Sequence, residues 1–153
     1  MLTQSGVPIL YAGDEIGQLN DYSYHDDPKK AEDSRYVHRG RFPWDLAEER
    51  TNDSTWRGWL FQRLRSLEML RQRYDVFRSD AEFSTFDAGD TRLLGIRRSL
   101  NRQTLTAIFN FSEAEVSVSV DGIQNAQDLV SGNRMDNHSM TLQPYRFLWR
   151  LQP

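Results

Sequence analysis

The residues of this chain equipped for chemistry concentrate between Asp14 and Trp44. Asp14 and Glu15 are adjacent carboxylates, His25 precedes Asp26 and Asp27, and the stretch AEDSRYVHRGR (31–41) sets Asp33, Arg35, His38, Arg39 and Arg41 close together, with Tyr22, Tyr24, Tyr36 and Trp44 nearby. Neighbouring carboxylates on an extended segment point to opposite faces, so Asp14 and Glu15 cannot form an acid–base pair by themselves. Glu15 reads first as a loop-fixing acceptor of backbone or arginine hydrogen bonds, and Asp14 as a wall residue of a site. The run 25–27 has neither the i, i+4 spacing of a helical zinc pair nor the stepped carboxylates and glycine of a calcium loop, so no metal is assigned. Asp33 suits capping a turn as well as orienting Arg35. The aromatic rings offer flat faces of the kind that stack on sugars, or a small core that keeps a long loop ordered. No phosphate-cradling loop, dinucleotide fingerprint or G-x-S-x-G elbow occurs, which leaves phosphoryl transfer, nicotinamide chemistry and serine hydrolysis without support; no cofactor is expected.

These residues need elements to hold them. Residues 6–12, GVPILYA, are almost continuously apolar, the composition of a strand covered on both faces in a parallel sheet. Residues 13–55 show no sustained period, yet their aromatic content argues against disorder. A helix follows, capped by Asp53 or Ser54, with Trp56, Trp59, Leu60, Leu64, Leu67 and Leu70 on one face and Arg57, Arg63, Arg65, Arg71 and Arg73 on the other. Its arginines read as a solvated face rather than a membrane or groove contact. From Glu82 onward the period becomes two, through FSTFDA, RLLGIRRS, TLTAIFNF, EVSVSV, AQDLV and TLQPYRFLWRL, separated by turn-rich stretches such as SLNRQ and DGIQN. His138, in one such turn, reads as solvated.

Composition narrows the partners. A formal net charge of −3 over 153 residues gives no field that would draw nucleic acid. There are no cysteines, which excludes a disulfide framework and thiolate metal sites and makes a reducing, cytoplasmic setting the favoured expectation. No apolar run approaches the roughly 18–20 residues that span a bilayer, and the first residues lack a signal-peptide pattern, so no membrane is expected.

GVPILYAGDE fits a G-x-P-x-x-Y-x-G-x-E pattern through Gly6, Pro8, Tyr11, Gly13 and Glu15, and thereby resembles the segment around the eighth barrel strand of α-amylase-type enzymes (glycoside hydrolase family 13). AEDSRYVHRGR resembles the D-S-R-W-x-H-R-x-R stretch of amylosucrases, with Tyr36 in place of Trp; NFS (110–112) and LQPYRFLW (142–149) are similar to their C-terminal β domain. The resemblance implies an α+β fragment: residues 1–78 as the last β/α unit of a TIM (β/α)8 barrel, and 79–153 as an antiparallel β-sandwich. In such barrels the site is built at the carboxyl ends of the strands, which puts the loop from Gly13 on the catalytic face. It further implies transfer of glucose from sucrose to an α-glucan, with Arg35 closing the sucrose pocket through an upstream aspartate and Asp33, Asp14, Tyr36 and His38 as substrate contacts. The catalytic carboxylates would lie on strands outside this chain, so the chain alone is expected to be inactive and the rest of the barrel to be its partner.

A sucrose hydrolase or α-glucosidase of the same superfamily is the first alternative; a non-catalytic carbohydrate-binding or interaction β domain is the second. An unpartnered apolar strand is an aggregation hazard, so the isolated chain is expected to be oligomeric or poorly soluble. A clean monomer on size-exclusion chromatography at moderate concentration would contradict this.

Overall fold

A computed structural model describes residues 1–119, 125–135 and 139–153, and among these residues it forms eight short strands, two α-helices and several 3₁₀ turns. The strands are β1 (Glu82–Phe86), β2 (Leu93–Leu100), β3 (Gln103–Asn110), β4 (Val116–Ser119), β5 (Ala126–Asp128), β6 (Arg134–Met135), β7 (Ser139–Leu142) and β8 (Phe147–Gln152). The helices are α1 (Trp44–Ala47) and α2 (Trp56–Arg73). The fold is thus small, β-rich α+β with antiparallel sheets. Its contacts group the chain into two compact units, Ile9–Ser66 and Met1–Pro8 with Leu67–Pro153.

In the second unit a six-stranded sheet runs β1-β2-β3-β8-β5-β6, and β4 with β7 forms a separate pair. The hairpin between β2 and β3 turns on Asn101 and Arg102, both at positive φ, the conformation that matches the twist of the flanking strands. Ile108 and Leu148, opposite each other on β3 and β8, pack with Val118 and Leu142 of the two-stranded pair, so one face of the large sheet is closed by the small one. The other face carries Ile96, Leu105, Ala107 and Trp149, with Phe77 of the 3₁₀ turn Asp75–Phe77 tilted against Trp149 at 5.2 Å. Burial on both faces is why β3 and β8 are apolar without strict alternation. Arg98 of β2, wholly buried, donates to the carbonyls of Val76 (2.6 Å), Arg78 (2.6 Å) and Thr3 (3.2 Å), and Arg71 of α2 donates to those of Leu2 (2.5 Å) and Gly6 (2.8 Å).

Several expectations are corrected here. Residues 6–12 form no strand: Val7 and Ile9 are 87% and 80% exposed, because among the described residues no strand pairs with them. The run TLQPYRFLWRL breaks at Pro144 and Tyr145 (φ 54°) into β7 and β8, which belong to different sheets. β6, two residues long, has too little sequence to show a period. The expected turn at 121–124 and His138 lie outside the described residues.

In the unit Ile9–Ser66, α2 begins at neither Asp53 nor Ser54. The Thr55 hydroxyl accepts the Gly58 N–H at 3.1 Å and caps the helix, while Asn52 Oδ1 takes the N–H and hydroxyl of Ser54 to build the turn before it. Trp56 and Trp59, expected on a buried face, are half-exposed; Gly58 is the one residue of α2 that is fully buried. A Cβ at Gly58 would collide with the Asn52 carbonyl and lie 2.7 Å from that of Glu49. Gly→Ala inside a helix ordinarily stabilises by about 1 kcal/mol, but here the loop backbone leaves no room. Gly58→Ala is therefore expected to destabilise by about 1–3 kcal/mol, read as a fall in the urea midpoint.

Candidate functional site

The long loop is organised by local capping rather than by regular structure. Gly13, at φ 103°, turns the chain into the 3₁₀ turn Asp14–Ile16; Glu15 Oε2 accepts the Gly13 N–H at 2.8 Å, and a Cβ on Gly13 would collide with the Gln18 side chain. Asp21 caps the turn Tyr22–Asp26 through the Ser23 N–H, and Asp33 caps the turn Ser34–His38 through the Arg35 N–H at 3.0 Å. The Asp21 N–H donating to the Val37 carbonyl at 2.9 Å ties the two turns together. These Asx-type caps explain why a stretch without helical period is ordered.

Tyr11, Asp14, Arg35, His38 and Arg39 line one open hollow of about 460 Å³. It joins residues from both sequence motifs. Asp33 is not among the lining residues; besides capping the turn, its carboxylate accepts Arg35 Nε at 2.8 Å and Nη2 at 2.7 Å. Arg35 is 72% exposed, and its Nη1 has no hydrogen-bond partner among the described residues. His38 Nδ1 lies 3.2 Å from Asn20 Oδ1. Tyr36 does not line the hollow; its ring lies 5.7 Å from the cationic groups of both Lys30 and Arg39. Tyr11 and Arg39 do line it, although the motif places Tyr11 in the apolar strand pattern. Among the described residues no group of three or more His, Cys, Asp or Glu could hold a metal ion.

Hydrogen bonding from Arg35 is the main reason the Asp33 carboxyl is pushed down to about 2. A group with a lowered folded pKa contributes above its unfolded value, about 3.9, and loses that contribution as pH falls toward 2. The pair is therefore intact across neutral pH, and an NMR titration of Asp33 should find its midpoint at least one unit below an exposed aspartate. A midpoint near 4 would mean that the fork is open in solution.

A second hollow of about 480 Å³ is lined by Glu15, Ile16, Phe42, Trp44, Ala47, Glu48, Arg50 and Phe61. Glu48 and Arg50, from the 3₁₀ turn Glu48–Thr51 that follows α1, and Phe61 of α2 carry no sequence signal, because only the fold of the loop brings them together.

The fold matches part of several solved carbohydrate-active enzymes, and the chain spans well under half the length of the proteins it matches. No model of a known protein family matches it. It is 26% identical over 151 residues to glucosylglycerate phosphorylase of Escherichia coli (strain K12), covering 97% of this chain and 26% of that protein. Trehalulose synthase from Pseudomonas mesoacidophila superposes with a TM-score of 0.73 at 18% identity, over 99% of this chain and 36% of its own. A mutant of that synthase bound to its substrate sucrose gives 0.75, also at 18% identity, over 99% of this chain and 36% of its own. The maltogenic amylase of S. marinus gives 0.68 at 23% identity, over 97% of this chain and 18% of its own. The relatives are carbohydrate-active enzymes, and no helix among the described residues is long and apolar enough to cross a membrane.

Proposed function

We propose that the chain is the carboxyl-terminal segment of an amylosucrase-like retaining glucosyltransferase of the α-amylase family. Residues 1–78 would close a (β/α)8 barrel and 79–153 form the appended β domain. The observation that carries this reading is the single hollow shared by GVPILYAGDE and AEDSRYVHRGR through Tyr11, Asp14, Arg35, His38 and Arg39. The unpaired apolar segment 6–12 and the half-exposed face of α2 support it, since both are what a parallel barrel would cover. They also weigh against an autonomous binding domain.

In this reading Asp33 fixes the Arg35 fork through Nε and Nη2, leaving Nη1 to donate to a sugar hydroxyl; His38 and Asp14 supply further polar contacts to the ring. Retention needs two carboxyl groups about 5–5.5 Å apart across the scissile bond. Of the hollow's lining residues Asp14 alone is a carboxylate, so the acid pair must come from elsewhere in the enzyme.

The test is fructose release from sucrose. The purified 153-residue chain should release none above blank, whereas a protein carrying the complete barrel should release fructose and lengthen a glucan acceptor. There, Arg35→Ala should lower kcat/KM by at least about tenfold. Fructose release by the chain alone, or an unaffected Arg35→Ala enzyme, would overturn the reading. A second reading, phosphorolysis, is favoured by the glucosylglycerate phosphorylase match and by two guanidinium groups in one hollow. It predicts a sugar 1-phosphate when inorganic phosphate is the acceptor. Free glucose as the sole product would instead indicate the hydrolase alternative.

A further inference from the structure

We propose that the hollow beside Trp44 is a second hexose-binding site, with the indole as its platform. The two hollows flank one turn: Asp14 faces the first, and the next two residues, Glu15 and Ile16, line the second. The second has the chemistry a neutral sugar requires. Trp44 is 70% exposed and held edge-to-face by Phe42 at 4.7 Å, so its ring is fixed without being covered. It sits at the start of α1, directly after Pro43, which limits the backbone freedom of the platform.

Polar groups surround that apolar surface. Glu48 lines the hollow, and its carboxylate has no hydrogen-bond or ion-pair partner among the described residues, which leaves both oxygens to accept from hydroxyls. Arg50 Nη1 is committed to the Ala47 carbonyl at 2.9 Å, so its remaining N–H groups are presented from a fixed guanidinium. A flat aromatic face with a carboxylate and a guanidinium at its rim matches a pyranose, whose C–H face is apolar and whose edge is ringed by hydroxyls. A volume of about 480 Å³ falls within the roughly 300–1,000 Å³ range of small-molecule sites. An anionic ligand would meet Glu15 and Glu48, so the class is neutral.

The inference rests on the proposed function only for its role: if the first hollow holds the donor glucosyl unit, the second serves a unit of an acceptor chain. Binding itself needs no chemistry and can be measured on the 153-residue chain. Maltose titrated into isotope-labelled chain should shift the backbone amide resonances of residues 44–50, along with the Trp44 indole N–H, in a saturable, millimolar-range isotherm. Trp44→Ala and Glu48→Gln should each weaken binding by about fivefold or more, while Arg35→Ala leaves it unchanged. Unaltered amide resonances of residues 11–39, within the same unit but away from the substitution, would show that the fold is kept in each variant. No saturable shift with maltose, or a shift that survives Trp44→Ala, would overturn the proposal. Failure of the donor reading shows separately, as sucrose turnover insensitive to Arg35→Ala while maltose still binds beside Trp44.

Discussion

Arg98→Met is expected to cost about 3–5 kcal/mol and to lower the melting temperature by more than about 10 °C, the largest loss from a single side chain in the β unit. Replacing a buried ion pair with apolar residues is often harmless, but that rule holds when both partners are replaced. Among the described residues Arg98 has no carboxylate partner. Its guanidinium is held by the carbonyls of Val76, Arg78 and Thr3, which no substitution at position 98 can remove. Methionine keeps most of the stem and leaves the buried Val76 and Thr3 carbonyls without donors, at about 1–3 kcal/mol each before relaxation, while the Arg78 carbonyl keeps the Ala81 N–H. Burial, then the neighbouring Arg71, pushes the Arg98 pKa down, yet a guanidinium stays protonated at any pH where the protein is folded. The charge is thus a fixed cost that the three hydrogen bonds offset. Arg98→Lys should recover only part of the loss, because one ammonium cannot reach all three carbonyls along the directions of a planar fork. Near-ultraviolet circular dichroism, which reports the packing of Trp149 against Phe77, would follow both variants. A loss below about 1 kcal/mol for Arg98→Met would show that the three-carbonyl clamp is not formed in solution.

The β strands were legible because their period of two survives wherever one face meets solvent, as in β4, whose burial alternates along VSVS. The same rule failed at 141–151, where an apolar run continues through a corner: Tyr145 takes a left-handed conformation that its residue type does not advertise. α2 was legible in extent and not in its cap, since four candidate capping residues, Asn52 to Thr55, stand in a row and only geometry selects Thr55. Of the candidate site, the pairing of Asp33 with Arg35 could be read from adjacency, whereas the convergence of Tyr11 with Arg39 depends on a loop fold with no period to read. Residues 6–12 show the limit most clearly. Their composition is that of an interior strand, but a strand exists only where neighbours complete its ladder, and composition does not say where those neighbours are.

Asn110 explains the NFS stretch and carries the second large effect. Its Nδ2 lies 2.8, 3.0 and 3.2 Å from the carbonyls of Ala114, Gln143 and Leu142, and its Oδ1 accepts the Ser112 N–H at 3.0 Å and the Ser112 hydroxyl at 2.7 Å. One buried amide therefore fastens the end of β3 to the end of β7 and closes the turn between β3 and β4. Asn110→Ala should cost about 2–3 kcal/mol, the sum of several lost hydrogen bonds less relaxation. Asn110→Asp preserves the shape but turns the donor end into a second acceptor facing carbonyl oxygens, and should cost more than alanine at pH 7, about 3 kcal/mol or above. The two variants separate by pH. Burial beside carbonyls raises the folded pKa of the new carboxyl above its unfolded value, about 3.9. Stability of such a group is greatest below the unfolded pKa and is lost as pH rises through the folded one, so Asn110→Asp should regain stability relative to Asn110→Ala as pH is lowered toward 4. Urea denaturation of both variants in matched buffers at pH 7 and pH 4 would measure the gap. If it does not narrow on acidification, the penalty is not electrostatic, and the carbonyls must lie farther from position 110 in solution than in the structure.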